Sequence, residues 1–475
     1  MKRSFGFRIL ALVGLLGMIS CEDELQLPDN VIGFESSELG ISSDEAEITV
    51  NINFSREATE PGTLLVTLTP NGVTYGTEFT TDPAAENNTI NLAVEKGASL
   101  VSFRLIKVAD ALFDGDEQIE FTLESSVPSL ILGEKNTFKL TFAEIISEGA
   151  RMDPNVGGND QPNKVFVDLS ANRQTSLSRS AWDLGFYTAE GEFKVVLNSS
   201  SAMLARALDK TDLNAVSAAD TTGWGVQFST DAIFAAVLGP PPAWINQAVN
   251  WIDAPSGDMN ATAIASISAT EADNKVYIVN RGENPDGSQR GWKKIRILRN
   301  GTGYTLQHAD INATSFQTIE VTRDNAYLFN YINFDAGLVS VEPKKSQWDI
   351  AFTVFTNTTA IGGPGSALIP YVFLDVVVQN RFEVQTVEVL NTTVAYENFG
   401  EANLGGLAFG TSQINIGSKW RTGGGPTSSP ALRTDRFYVI KDAAGNIYKL
   451  KFTALTQNGE RGRPQFEFAL VAKGS

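Results

Sequence analysis

Residues 31–146 alternate between apolar and polar positions with a period of two. The run 48–54 places every second side chain on one apolar face, and the runs 64–68 and 119–123 repeat the pattern. Turn-forming Gly, Pro, Asn and Asp residues separate these short runs. Because short alternating strands with frequent turns are typical of antiparallel sandwiches, the pattern predicts an all-β first domain over 31–146.

The rest of the chain contains an internal repeat. Three runs recur in the same order, and the matched pairs are 182–186 with 348–352, 276–281 with 437–442, and 294–297 with 449–452. In each copy a Gly-bearing turn separates the last two runs, which predicts a β-hairpin. We therefore expect two related all-β copies over 164–322 and 325–475. A linker over 147–163, rich in Gly, Asn, Asp and Pro, precedes them.

Each repeat copy has two further features with structural consequences. In 294–297 and 449–452, basic residues alternate with apolar ones, which predicts one buried sheet face and one face that carries Lys and Arg into water. Both copies also contain a Trp-Asp pair, and the pairs are Trp182-Asp183 and Trp348-Asp349. Each pair is expected to begin a central strand, with the indole in the core and the carboxylate accepting a hydrogen bond.

Catalytic acids are the functional alternative for these two aspartates. That chemistry needs a second carboxylate at a suitable distance, and neither copy shows one at a plausible spacing. The chain also lacks a Gly-x-Ser-x-Gly motif and a metal-binding triad, so we expect no enzymatic activity.

The N-terminal sequence is typical of an export signal. Basic residues precede an apolar run over 9–19, which is too short to span a bilayer. The following Met-Ile-Ser-Cys sequence resembles a bacterial lipobox, which implies a signal peptide over 1–20, cleavage before Cys21, and lipid on its sulfur. Residues 21–30 then form a tether, and its acidic run 22–24 resembles the surface-export signal of Bacteroidetes lipoproteins. The alternatives are an ordinary signal peptide that contains a Cys and a merely solvated tether.

Composition narrows the classes of function. The chain has 475 residues, a net charge of −18, one Cys and one His, which excludes an intrachain disulfide and paired-His metal sites. Residues 21–150 hold 24 acidic and 6 basic side chains, whereas the part beyond holds 31 and 28. The acidity therefore belongs to the first domain, and we expect no nucleic-acid partner.

The first domain resembles a Calx-β-type sandwich. The resemblance lies in Tyr-Gly-Thr-Glu-Phe at 75–79 and in the acidic turn and strand over 113–123. Some members of that family bind Ca²⁺ through turn carboxylates, so the resemblance implies Asp114, Asp116 and Glu117 as candidate ligands. Since Ca²⁺ takes six to eight oxygen ligands, a solvated acidic turn is the alternative.

The two repeat copies resemble the HmuY-like family. The resemblance rests on the Trp-Asp-Ile-Ala-Phe run, the polar Gly-rich loop 357–365, and the hairpin 437–452, and it is closest in the second copy. Members are all-β surface lipoproteins of Bacteroidetes, and the best-known member is a haemophore. The resemblance therefore implies an outer-membrane, cell-surface protein that binds haem or another apolar, anionic small molecule.

A haem site like that of the best-known member needs two axial ligands. That member uses two His residues, but this chain has only His308, and the positions after the Trp-Asp runs hold Tyr187 and Thr353. Because some family members are thought to use Met, the remaining candidates are Met203 and Met259. The alternatives are a half-buried strand His and gap-filling core Met residues.

Two functions follow from these observations. The first is a lipid-anchored surface protein that binds haem or a similar small molecule. The second is a non-enzymatic adhesion or interaction lipoprotein without a small-molecule site, in which the acidic first domain serves as a stalk. The partners are accordingly a membrane, reached through the lipid, and either a small molecule or a surface protein.

Overall fold

The computed structural model describes residues 29–42, 45–109, 111, 113, 117–143, 146–221, 228–240, 242–360, 366–423 and 429–474. In this part of the chain nearly all regular structure is antiparallel β-sheet, which confirms the predicted all-β class. No helix in it is long and apolar enough to cross a lipid bilayer.

The first unit, residues 30–143, is a sandwich of two five-stranded sheets ordered β5-β7-β3-β1-β9 and β2-β10-β8-β4-β6. Its strands are β1 (Asn30–Phe34), β2 (Glu38–Gly40), β3 (Glu47–Phe54), β4 (Gly62–Asn71), β5 (Phe79–Asp82), β6 (Thr89–Val94), β7 (Leu100–Lys107), β8 (Gln118–Ser125), β9 (Leu130–Leu132) and β10 (Thr137–Thr141). The apolar positions of the alternating runs point between the sheets and form one core, whereas the polar positions face outward.

The remaining strands form what we call the tandem body, residues 149–474. They are β11 (Gly149–Met152), β12 (Asn163–Asp168), β13 (Arg173–Ser178), β14 (Leu184–Tyr187), β15 (Val195–Leu197), β16 (Leu204–Ala207), β17 (Tyr277–Asn280), β18 (Trp292–Asn300), β19 (Gly303–Asp310), β20 (Gln317–Val321), β21 (Phe329–Asn333), β22 (Gly337–Val339), β23 (Ile350–Ala360), β24 (Leu368–Gln379), β25 (Gln385–Leu390), β26 (Arg436–Lys441), β27 (Ile447–Gln457) and β28 (Glu460–Ala472).

Short helices connect these strands. There is one α-helix, α1 (Thr230–Ala236), among the described residues. The 3-10 helices there are Ser199–Ser201, Leu213–Ala215, Ala218–Thr221, Ile245–Trp251, Glu271–Asp273, Tyr396–Asn398 and Glu401–Asn403.

The two repeat copies exchange their first hairpins. The hairpin β12-β13 of copy 1 pairs with β23 of copy 2 in a sheet ordered β13-β12-β23-β24. Conversely, β21-β22 of copy 2 pairs with β14 of copy 1 in a sheet ordered β15-β14-β21-β22. The sequence predicted the copies, but not that each one completes a sheet of the other.

The exchange produces two sandwiches. The β15-β14-β21-β22 sheet packs on the sheet β16-β17-β18-β19-β20 around one apolar core. The β13-β12-β23-β24 sheet packs on the sheet β11-β28-β27-β26-β25 around a second core. Because each core contains residues from both copies, the copies are not separate spatial domains.

Strand β11 lies within the predicted linker 147–163. It pairs antiparallel with β28, the last strand of the chain, and the Met152 side chain is buried in the core of the second sandwich. The prediction that 147–163 is only a linker was therefore wrong for β11. Its small and polar residues hid a short edge strand whose pairing partner lies more than 300 residues away.

The predicted water-facing basic face is also absent from copy 1. Lys294 is only 1% exposed, and its ammonium donates to the carbonyl oxygens of Val216 and Ala313. The described residues of 208–276, including α1, cover that face with their own apolar cluster. In copy 2, Lys449 donates in the same way to two carbonyls of the segment 391–409. A buried ammonium needs such acceptors, so each lysine ties the covering segment to its sheet.

The first unit contacts the tandem body through polar groups. The Arg173 guanidinium lies 3.0 Å from the Glu45 carboxylate. The Ser36 hydroxyl donates to the carbonyl of Asn172, and Arg463 donates to the carbonyl of Ser55. Two cavities, of 480 and 530 Å³, lie along this junction.

Candidate functional site

The two Trp-Asp pairs occupy equivalent places in the two sandwiches. The amide N–H of Asp183 donates to the carbonyl of Ile332, and that of Asp349 donates to Val167. In both cases the acceptor belongs to the hairpin supplied by the other copy. An asparagine beside each pair, Asn198 or Asn380, donates to the carbonyl of the neighbouring tryptophan. The Trp-Asp pair is therefore the place where each sandwich receives its exchanged hairpin.

Both aspartates are buried and accept hydrogen bonds. Asp183 accepts from the amide of Phe334, and Asp349 accepts from the amide of Leu169. Asp183 is fully enclosed and ion-paired with Arg281. Such a carboxylate holds the fold together and is not available as a catalytic acid. Burial and the nearby Asp168 raise the pKa of Asp349 well above its usual range.

A cavity of 50 Å³ lies where the two sandwiches meet, and both Trp182 and Trp348 line it. The ammonium of half-buried Lys164 lies 5.8 Å from the Trp348 ring centroid, and burial lowers the pKa of this lysine to about 8. The Tyr331 hydroxyl donates to Glu342 Oε2 at 2.5 Å, and burial raises the pKa of Glu342.

Two polar atoms at this cavity have no hydrogen-bond partner among the described residues. They are Oε1 of Glu342 and Nε1 of Trp348, both buried. The volume suits roughly three or four water-sized molecules and is far below the several hundred Å³ of a typical organic-ligand pocket. The cavity can therefore hold water or a very small polar ligand, but not a macrocycle.

The structure places His308 inside the first sandwich. It lies on β19 on the same face as Tyr304 and Leu306, is 2% exposed, and its ring centroid lies 5.4 Å from that of Phe334. Neither ring nitrogen has a hydrogen-bond partner among the described residues, and burial lowers the pKa of His308. The alternative of a half-buried strand histidine is therefore wrong in its burial, since His308 is almost fully enclosed.

The two methionine candidates occupy different environments. Met203 is 1% exposed and belongs to the core of the first sandwich. Met259 packs against the cluster around Trp182, with its sulfur 3.4 Å from Nη1 of Arg381. Neither lines the 50 Å³ cavity between the sandwiches. The 480 and 530 Å³ cavities at the junction are lined by none of the three axial candidates.

Strand register shows that His308 and Met203 are far apart. His308 lies opposite Ile295, Ile295 opposite Tyr277, and Tyr277 opposite Ala207 on β16. Three strand spacings are about 14 Å, and the four residues back to Met203 add about 13 Å along the strand. Their separation is thus about 19 Å, whereas two axial ligands must bind the same iron atom. The described residues do not fit a haem site with these two ligands.

The positions that follow the Trp-Asp strands are also occupied by structural contacts. Tyr187 packs on Phe329, with ring centroids 5.4 Å apart. The hydroxyls of buried Thr353 and Ser200 lie 2.9 Å apart and link the two sandwiches. Thr353 also lines the 50 Å³ cavity, but its hydroxyl is engaged by Ser200.

The remaining sequence candidates are only partly within the described chain. Asp114 and Asp116 lie outside the described residues, and Glu117 is buried beside β8. Among the described residues, no group of three or more His, Cys, Asp or Glu side chains could hold a metal ion. Cys21 and the acidic run 22–24 also lie outside them.

The sequence reasoning missed the charged partners of Asp183. Arg281 donates to both of its carboxylate oxygens, at 3.0 and 2.9 Å, and Arg290 lies 2.8 Å from one of them. A signal was present in the repeat, because the matched runs 276–281 and 437–442 end in Arg in one copy and Asp in the other.

These features define a class of protein: an all-β scaffold built from two intertwined copies. The family model described as "HmuY protein" matches residues 160–302 and 325–468, which together exceed half of the chain. The chain belongs to the HmuY family, and each of its two repeat copies matches the family model. No curated protein matches the chain.

Solved structures with similarity to this chain include calcium-binding domains. The apo form of the Calx CBD1 domain is 15% identical, with 24% of this chain and 96% of that chain covered and a TM-score of 0.21. CBD12 from CALX1.2 is 14% identical, with 37% and 60% covered and a TM-score of 0.21.

A two-domain protein of unknown function from Bacteroides fragilis is 10% identical to this chain. The match covers 37% of this chain and 74% of that one, with a TM-score of 0.18. Because all three scores are low, the sandwich assignment of the first unit rests on its own strand pairing.

Proposed function

We propose that this chain is a non-enzymatic, lipid-anchored binding protein of the outer cell surface. It belongs to a family associated with haem binding, but His308 and Met203 do not act together as the axial ligands of a haem. Membership of the HmuY family supports a binding role. The observation that carries the second part is that His308 and Met203 are both buried and, from the strand register, lie about 19 Å apart.

The anchor follows from the lipobox-like end of the signal at Cys21. Several acyl chains on one residue hold a protein stably at a membrane, since each buried CH₂ contributes about 0.8 kcal/mol. The strongly acidic first unit follows the tether directly, and its charge repels an anionic membrane surface. The tandem body, which has little net charge, is then the part that presents binding surfaces.

Interaction with a partner protein is the second candidate function. The observation that favours it is that the three axial candidates, Met203, Met259 and His308, are all occupied by packing contacts. A surface interaction protein needs none of them as ligands.

A haemin titration tests the proposal. The full chain is titrated with haemin, and the Soret band is compared for the wild type and the variants His308→Ala, Met203→Leu and Met259→Leu. Circular dichroism reports whether each variant is folded. We expect no Soret change that depends on any of these side chains. A Soret shift in the wild type that one folded variant loses would identify an axial ligand and overturn the proposal.

A further inference from the structure

Two positively charged side chains line the 50 Å³ cavity between the sandwiches. They are Lys164, on β12, and Arg381, just after β24. Among the described residues, no carboxylate lies within ion-pairing distance of either cation. Because a charge removed from water is costly without a partner of opposite sign, two unpaired cations at one cavity indicate that an anionic group is missing there.

Aromatic rings, rather than carboxylates, hold these cations in place. The Lys164 ammonium lies 4.6 Å from the ring centroid of Phe166 and 5.8 Å from that of Trp348. The central guanidinium carbon of Arg381 lies 4.5 Å from the ring centroid of Phe329. A ring face attracts a cation by only about 0.5–2 kcal/mol. Neither cation donates a hydrogen bond to an oxygen atom of a described residue, so both retain N–H donors for a ligand.

A neutral donor at the same cavity also lacks an acceptor. Trp348 lines the cavity and is 5% exposed, and its Nε1–H has no hydrogen-bond partner among the described residues. The indole nitrogen can only donate. Because buried donors without an acceptor are uncommon in folded proteins, the group missing beside Trp348 is one that carries a lone pair.

Two carboxyl groups of the cavity wall are engaged by other groups. The two oxygens of Asp253 accept from the amides of Leu197 and Ala263, at 2.7 and 2.9 Å. Glu342 accepts from the Tyr331 hydroxyl. Burial raises the pKa of Glu342 and raises that of Asp253 to about 6, which favours their neutral forms. A protonated Glu342 offers its unpartnered oxygen as one more donor to the cavity.

We propose that this cavity binds a small monovalent carboxylate, of the size of formate or acetate, between the Lys164 ammonium, the Arg381 guanidinium and the Trp348 N–H. The volume of 50 Å³ admits about three or four water-sized groups, which matches these anions and excludes larger acids. Water would satisfy the indole but would leave both cations without an anion. Asp258 lines the cavity and is exposed, so the cavity reaches the protein surface.

This inference goes beyond the proposed function, since the cavity is too small for haem and none of the three axial candidates lines it. It also predicts a pH dependence. Burial lowers the pKa of Lys164 to about 8, so its positive charge is present below that pH and is lost above it. The charged groups that act on Lys164 are Glu342 and Arg381. Affinity for the anion should therefore fall as the pH rises through this value.

NMR relaxation of formate tests the proposal, because a small ligand relaxes faster while it is bound to a large protein. The full chain is titrated with sodium formate, and sodium gluconate, whose anion is too large for the cavity, keeps the ionic strength constant. We expect a saturable rise in the transverse relaxation rate of the formate proton, which acetate reverses by competition. Lys164→Met and Trp348→Phe should each weaken binding at least tenfold, with circular dichroism as the check on folding.

Lys345→Met is the matched control. The Lys345 ammonium also lies over an aromatic ring, 4.8 Å from the centroid of Phe382, but this lysine does not line the cavity. The substitution changes the net charge of the protein by the same amount as Lys164→Met. The control variant should therefore bind formate as the wild type does.

Three results would overturn the proposal. They are no saturable relaxation change with the folded wild type, which would leave water as the occupant, equal weakening by Lys164→Met and Lys345→Met, and an affinity that rises with pH. If Lys164→Met fails to fold, the wild type and Trp348→Phe still decide the question. The Soret measurement and its variants play no part, so failure here is distinct from failure of the proposed function.

Discussion

The ion pair between Arg281 and Asp183 is the most informative single target in copy 1. Arg281→Met keeps a long unbranched side chain but removes the guanidinium, and with it two hydrogen bonds to a fully buried carboxylate. Asp183 would retain Arg290 at 2.8 Å and the amide of Phe334 at 2.8 Å. The substitution therefore leaves a buried charge only partly compensated.

The expected decrease in the free energy of unfolding follows from the loss of one of the two arginine partners of Asp183. Removing one partner of a buried ion pair destabilises a protein by about 3–5 kcal/mol. Because Arg290 remains, we expect the lower end, about 3 kcal/mol, which is roughly a 150-fold change in the unfolding equilibrium constant. With a urea dependence of about 3 kcal/mol per molar, the unfolding midpoint should fall by about 1 M.

Tryptophan fluorescence is a selective assay for this change. All seven tryptophans lie beyond residue 163, so their emission in a urea titration reports on the tandem body. The control is Lys275→Met, which removes an exposed ion pair with Asp209 and should leave the midpoint unchanged. If Arg281→Met lowered the midpoint no more than Lys275→Met does, the claim that Arg281 stabilises buried Asp183 would be refuted.

Three further predictions concern Asp349, the exchange and the anchor. The raised pKa of Asp349 means that its contribution to stability is complete below the unfolded-state pKa near 4 and is lost as the pH rises through the folded-state value. Asp349→Asn should therefore reduce the loss of tandem-body stability as the pH is raised above 4, and an unchanged fluorescence-detected slope would contradict this. Because the hairpins are exchanged, a chain split into 1–324 and 325–475 should copurify when coexpressed; two fragments that did not associate would contradict the exchange. Cys21→Ser should release the protein from membranes in a fractionation assay, and continued membrane retention would exclude lipid at this residue.

The repeat and the sandwiches were accessible from the sequence because they depend on local periodicity. A period of two determines which side chains of a strand are buried, and the alternating runs of the first unit and of both copies occupy the faces expected. The recurrence of Trp-Asp and of the hairpin runs was enough to indicate a family whose model matches the same two regions.

Local periodicity could not predict which strand pairs with which. Nothing in the pattern of β12 or β21 distinguishes pairing within a copy from pairing across copies, because both bury the same face. Strand β11 was also missed, because its small and polar residues resemble those of a linker. Which element covers the second face of a sheet was also hidden, and it decided that Lys294 is buried rather than solvated.

For the candidate site, too, some properties follow from the sequence and others only from tertiary packing. The sequence alone established that the chain has one histidine and one cysteine, that its acidity lies in the first unit, and that Arg281 and Asp442 occupy matching places in the repeat. Tertiary packing was needed to separate His308 from Met203 and to bring Lys164, Trp348 and Arg381 to the wall of one cavity. The physical reason is that composition and periodicity act along the chain, whereas the distances and burial that set ligation and pKa arise between segments far apart in sequence.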